Sequence, residues 1–116
     1  MITRFSVPDL HECTVNLVNI AAHKIAPELV LTNAKVLSTY TDRIIDNKEI
    51  WISKGRIVCI KDTGSAKKIF NKDNFLLYDI NNNILAPGLI DPHMHIESSM
   101  MTACAYAEAA LLNGTT

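Results

Sequence analysis

Leu89-Ile90-Asp91-Pro92-His93-Met94-His95 is an apolar run that ends in two histidines two positions apart. Ile84-Leu85-Ala86-Pro87-Gly88 leads into it, and the polar cluster Glu97-Ser98-Ser99 follows. Beyond a short linker, Thr102 stands where it can cap a helix, and Ala103, Ala105, Ala107, Ala109 and Ala110 favour that helix strongly. Asn113-Gly114 supplies its stop, and the β-formers Thr115 and Thr116 open another strand. Strand, helix and strand opening make the first unit of a parallel α/β array. One such unit cannot cover itself, because parallel strands need neighbours on both edges and helices on both faces. The reading therefore expects a chain that stops before its barrel is complete.

The histidine spacing carries the chemistry. Side chains alternate faces along a strand, so His93 and His95 point the same way, with Cβ atoms roughly 6–7 Å apart from the strand rise. Two neutral imidazoles so placed can share one divalent cation, and zinc, iron and manganese all accept them. Met94 faces the other side, under the covering helix. If this strand opens a barrel, the pair sits toward the C-terminal end, where barrel sites lie. A lone HxH also arises by chance in cores and on surfaces. Its context, an apolar strand before and a polar exit after, favours ligation. Glu97 and Ser98 have two readings of equal weight, as substrate contacts or as a loop that caps the following turn. Asp91 alternates onto the histidines' face but lies deeper, so direct ligation by it is not expected. Pro92 removes a backbone donor mid-strand and places a bend there.

Working outward, three more regions precede this unit. A helix is expected over about Asp9 to Lys24, with Leu10, Cys13, Leu17, Ile20 and Ala21 on one apolar face. Asp9 and Glu12 have capping-box spacing, and Pro27 is the expected stop. From about Glu28 to Lys61 the period changes. Leu29-Leu31, Ala34-Leu37, Arg43-Asp46, Glu49-Ile52 and Arg56-Ile60 read as short strands, with Asn33, Asn47-Lys48 and Lys54-Gly55 as turns between them. Asp62 to Asn74 is a lysine-rich loop with at most one helical turn. Phe75-Ile80 resumes strand character before the Asn81-Asn82-Asn83 turn. The expected organisation is an N-terminal helical segment (1–27), a small antiparallel β-sandwich (28–85) and the first βα unit of an incomplete TIM-like barrel (86–116), an α/β chain with a β-sandwich part.

Composition excludes several classes. Among 116 residues 48% are hydrophobic and 20% charged, which is ordinary for a folded chain. A net charge of −1 leaves no basic footprint for nucleic acid, and Lys67-Lys68 with Lys72 reads as a solvated loop. Cys13, Cys59 and Cys104 are odd in number and widely spaced, so buried free thiols in a reducing compartment are expected. Apolar runs fall short of the roughly 18 residues that span a bilayer, and Met1–Pro8 lacks the features of a signal peptide, so a cytoplasmic location and no membrane partner are expected.

Pro87-Gly88-Leu89-Ile90-Asp91-Pro92-His93-Met94-His95 resembles the PGxID-x-HxH signature of the amidohydrolase superfamily. His95-Ile96-Glu97-Ser98-Ser99-Met100 is similar to the HIESSM stretch of adenine deaminases within it. Leu112-Asn113-Gly114-Thr115-Thr116 resembles the family's helix-to-strand junction, and Asn33-Ala34-Lys35-Val36 with Lys54-Gly55-Arg56-Ile57 resembles its N-terminal β part. The resemblance covers about Glu28 to Thr116. It implies hydrolysis of adenine to hypoxanthine and ammonia through attack of a metal-bound hydroxide on C6. It makes His93 and His95 the first-strand ligands of one or two Mn, Fe or Zn ions. The later ligands, a bridging carboxylate, further histidines and an aspartate, have no counterparts here, so the 116 residues alone are expected to be inactive. A homo-oligomer is the accompanying expectation.

Other readings stay open at this stage. His95-Ile96-Glu97 is also the HxE of cytidine-type deaminases, but the PCxxC thiolates they require are missing. Dihydroorotases, hydantoinases and sugar deacetylases share PGxID-x-HxH, and the IESS extension is what favours adenine. A non-catalytic reading makes the chain a β-rich binding or oligomerisation fragment with an exposed pairing edge.

Overall fold

Apolar residues at helical spacing produce α1, Leu10–Ala21, in a computed structural model that describes residues 7–71 and 74–116. Residues 1–6, most of the stretch examined for a signal peptide, and Lys72 lie outside the described residues. Cys13 and Ile20 are the buried positions of α1. The expected capping box does not form. Asp9 accepts the Glu12 N–H through its backbone carbonyl at 3.1 Å, and its carboxylate makes no cap bond. Nor does Pro27 end the helix. His23 takes a left-handed φ of 61°, its N–H reaches Ile20 O at 2.9 Å, and the Lys24 N–H reaches Asn19 O at 2.8 Å. That double closure satisfies the last carbonyls well before the proline.

The sheet follows. β1 (Leu29–Ser38), β2 (Arg43–Ser53) and β3 (Arg56–Asp62) form an antiparallel meander. Lys54 and Gly55 join the last two with φ of 53° and 69°, the doubly left-handed turn that matches strand twist. The next connection contains α2 (Ser65–Ile69), and β4 (Leu76–Asp79) and β5 (Ile84–Leu85) then pair with β1. Both run parallel to it. An antiparallel sandwich was the expectation; the described residues make one mixed five-stranded sheet, ordered β3-β2-β1-β4 with β5 also on β1. The physical reason is the α2 connection, which carries the chain past β2 and β1 before a strand begins, and such a crossover returns it parallel.

Asn33 and Asn47 separate no strands. Each is a left-handed residue (φ 53° and 54°) inside one continuous strand, at two successive register shifts between β1 and β2. The first has a consequence for packing. Val30 joins Ile20, Trp51, Ala66 and Phe75 in one core cluster, whereas Ala34 and Val36 join Ile50 in the other, beside Leu31 and Ile52. Without the extra residue Ala34 and Val36 would share the face of Val30; the bulge moves them across the sheet.

Glu49 is buried on the Trp51 face, 1% exposed, and its carboxylate has three partners. It accepts from Trp51 Nε1 at 2.8 Å and from the Gly64 and Ala66 N–H groups at 2.7 Å each. The sheet thereby holds the start of α2, and a charge that would be costly alone is matched by donors. Cys13 is buried, Cys59 half-buried with burial pushing its thiol pKa up, and Cys104 exposed, so the expectation of three buried thiols holds for the first alone. No helix among the described residues is long and apolar enough to cross a membrane.

A second compact unit begins at Ala86. Thr102 caps α3 (Ala103–Leu112), its Oγ1 accepting the Ala105 N–H at 3.3 Å, and Gly114 follows the helix at φ 86°. The chain then returns beside its own start. Leu89 N–H donates to Gly114 O at 2.8 Å, and Thr116 N–H donates to Leu89 O at 3.0 Å. These bonds make a parallel bridge between Leu89 and Thr115. Gly88 permits the approach, since a Cβ there would lie 2.0 Å from Thr116 Oγ1. The expected strand through His95 contracts to this bridge, and α3 buries no residue. Pro92 has no N–H to give a ladder, and one βα unit supplies one neighbour.

Candidate metal-ligand site

Residues 90–95 belong to no strand and bend at Pro92, and a side chain of the segment helps to order it. Asp91 Oδ1 accepts the His93 N–H at 3.1 Å, an Asx-type closure that spans Pro92. Asp91 thus acts on the backbone of a histidine. His95 remains extended (φ −99°, ψ 91°), after which Ile96–Ser99 winds into a short 3₁₀ turn. The Ser98 N–H donates to His95 O at 3.2 Å, and Ser99 Oγ donates to Ile96 O at 2.6 Å.

The two imidazoles stand side by side, ring centroids 4.8 Å apart and planes inclined at 65°. The two rings are thus neighbours although residues 93–95 form no strand. His95 Nδ1 lies 2.8 Å from Glu97 Oε1, both side chains being well exposed. Hydrogen bonding from His95, with a lesser backbone contribution, holds the Glu97 carboxyl below the usual carboxylate range. Sequence reasoning noted the HxE spacing but assigned Glu97 to substrate contact or capping. The ring pairing follows from the turn at Ile96, which no residue pattern announces.

The donor set suits a divalent metal in part. Two imidazoles are borderline ligands of the right kind, and His95 keeps Nε2 free because Nδ1 is engaged. Among the described residues no group of three or more His, Cys, Asp or Glu side chains is placed to hold an ion. A catalytic metal centre uses about three protein ligands. The pair therefore fits as a portion of a site. His11 and His23 lie elsewhere, exposed on or just beyond α1, and His23 rests against Trp51 at 5.5 Å.

Fold and site together define the class: an α/β chain whose last unit, a parallel bridge and a helix, carries two neighbouring histidines in the connection between them. By sequence the chain is homologous over 99% of its length to adenine deaminases. It is 56% identical over 115 residues to one from a Bradyrhizobium species and 54% identical over 115 residues to adenine deaminase 3 of Rhizobium johnstonii. It is 38% identical over 102 residues to the adenine deaminase of Staphylothermus marinus. The chain spans 19%, 18% and 17% of the lengths of these three relatives. No family model matches it.

Proposed function

We propose that this chain forms the amino-terminal part of a metal-dependent adenine deaminase, which converts adenine and water to hypoxanthine and ammonia. The observation that carries the reading is the adjacent His93 and His95 imidazoles at the head of a βα unit, in a chain 51–56% identical to adenine deaminases. Residues 28–85 then belong to a β-rich composite domain, and 86–116 to the first strand and helix of a (β/α)8 barrel. Later strands of the barrel supply the neighbours that Leu89 and α3 lack. The enzyme works in the cytoplasm as a homo-oligomer.

His93 and His95 would hold one or two ions of Mn, Fe or Zn, together with ligands from those later strands. The metal, when bound, lowers the pKa of water so that hydroxide is available near neutral pH. This chain's own residues position donors. Asp91 bonds the His93 backbone N–H, and the Ile96–Ser99 turn follows His95 directly, with the two rings neighbours. Ser98, in the turn that follows the histidines, is the residue this reading assigns to contact with the purine.

The test is an assay of the full-length protein with adenine, dihydroorotate and hydantoin. Ammonia release from adenine alone, abolished by His93→Ala or His95→Ala and absent from the 116-residue chain, supports the reading. Turnover of a cyclic amide without turnover of adenine overturns it.

A further inference from the structure

We propose that Glu97 is a positioning residue that fixes the tautomer and aim of the His95 ring, presenting Nε2 as the metal-binding nitrogen. The inference rests on the ligand role given to His95 above and replaces substrate contact as the task of Glu97. Its basis is geometric. Glu97 Oε1 lies 2.8 Å from His95 Nδ1, whereas His93 has no such carboxylate partner among the described residues. Asp91, the other nearby acid, spends Oδ1 on the His93 backbone N–H. The two ligands are thus supported differently, His93 through its main chain and His95 through its ring.

An ionised carboxylate only accepts hydrogen bonds, so the His95 nitrogen facing it carries the proton. Neutral His95 then has its lone pair on Nε2, the nitrogen turned away from Glu97. A free imidazole exchanges between tautomers and rotates. Carboxylate support removes both freedoms and raises the basicity of the ligating nitrogen, and loss of such a partner typically lowers metal affinity roughly 10- to 100-fold. The 3₁₀ turn makes the contact possible, because in a continuing strand residues 95 and 97 would stand side by side at full strand spacing.

Two measurements on the full-length protein separate this proposal from the ligand reading. Long-range 1H–15N correlation spectra at pH 8 report which ring nitrogen of His95 is protonated. The expected result is Nδ1–H in the parent, retained in Glu97→Gln, whose amide oxygen still accepts, and replaced by mainly Nε2–H in Glu97→Ala. An Nε2–H His95 in the parent, or a tautomer unchanged in Glu97→Ala, overturns the proposal, whether or not metal binds. Zinc titration followed on the ring signals reads the ligand pair, with His93→Ala as control. Weakening of roughly 10- to 100-fold in Glu97→Ala, with partial recovery in Glu97→Gln, supports the positioning role. Equal affinity in parent and Glu97→Ala counts against it, while equal affinity in parent and His93→Ala removes the ligand reading itself.

Discussion

Replacing Glu49 by alanine removes the shared acceptor of three N–H groups. Trp51 Nε1 and the Ala66 N–H bond to one carboxylate oxygen and the Gly64 N–H to the other. Trp51 and Ala66 are fully buried, so their donors lose a partner where water has little access. Each orphaned buried donor costs about 1–3 kcal/mol. Gly64 is half-buried and regains most of its bond from water. The expected loss is therefore about 2–6 kcal/mol, concentrated at the contact between β2 and α2. Glu49→Gln keeps the oxygen that serves Trp51 and Ala66 and turns its amide toward the Gly64 N–H, so it costs about 1 kcal/mol. Urea unfolding followed by fluorescence reads this directly, since Trp51 is the sole tryptophan. A loss below about 0.5 kcal/mol in Glu49→Ala, at unchanged m-value, would refute the reasoning.

Further outcomes follow from the same contacts. Gly55→Ala should destabilise by about 1–2 kcal/mol by thermal or urea unfolding, because φ is 69° and the new Cβ meets Val7 Cγ2 at 2.9 Å. Gly88→Ala should separate Leu89 from Thr115, seen as faster exchange of the Leu89 and Thr116 amide protons. Bonds from Lys54 hold the Glu28 carboxyl below its ordinary value of 4.5, and bonding to Glu28 raises the Lys54 ammonium above 10.5. The stability contributed through Glu28 is therefore complete above pH 4.5 and lost as pH falls through the lowered folded value; that through Lys54 is complete below pH 10.5 and lost as pH rises through the raised one. Parent and Glu28→Gln should accordingly differ at neutral pH and converge in acid. The difference should be small, as the pair is exposed. On the proposed reading, removal of divalent metal from the full-length protein should abolish ammonia release from adenine and leave the β-rich unit folded, checked by activity and by amide exchange of residues 29–62 before and after chelation.

Local chemistry in the sequence determined a good deal. The helix α1, the Lys54-Gly55 turn and the Thr102 cap are each settled by neighbours within a few residues, and each is present in the structure, although of the expected apolar face of α1 only Cys13 and Ile20 are buried while Leu10 and Ala21 are exposed. The tertiary structure alone decided the rest. Asn33 and Asn47 carry a turn signal, but whether a left-handed asparagine reverses a chain or bulges a strand depends on the partner strand's register. The parallel set of β4 and β5 depends on where the α2 connection lands, which no local residue encodes. Glu49 reads as a strand residue until Gly64 and Ala66 arrive from another element, and Gly88 shows its purpose when Thr116 returns beside it. Short-range preferences act through backbone dihedrals and nearest side chains, whereas register, crossover and buried-charge compensation are energies between segments far apart in the chain, evaluated only once those segments meet.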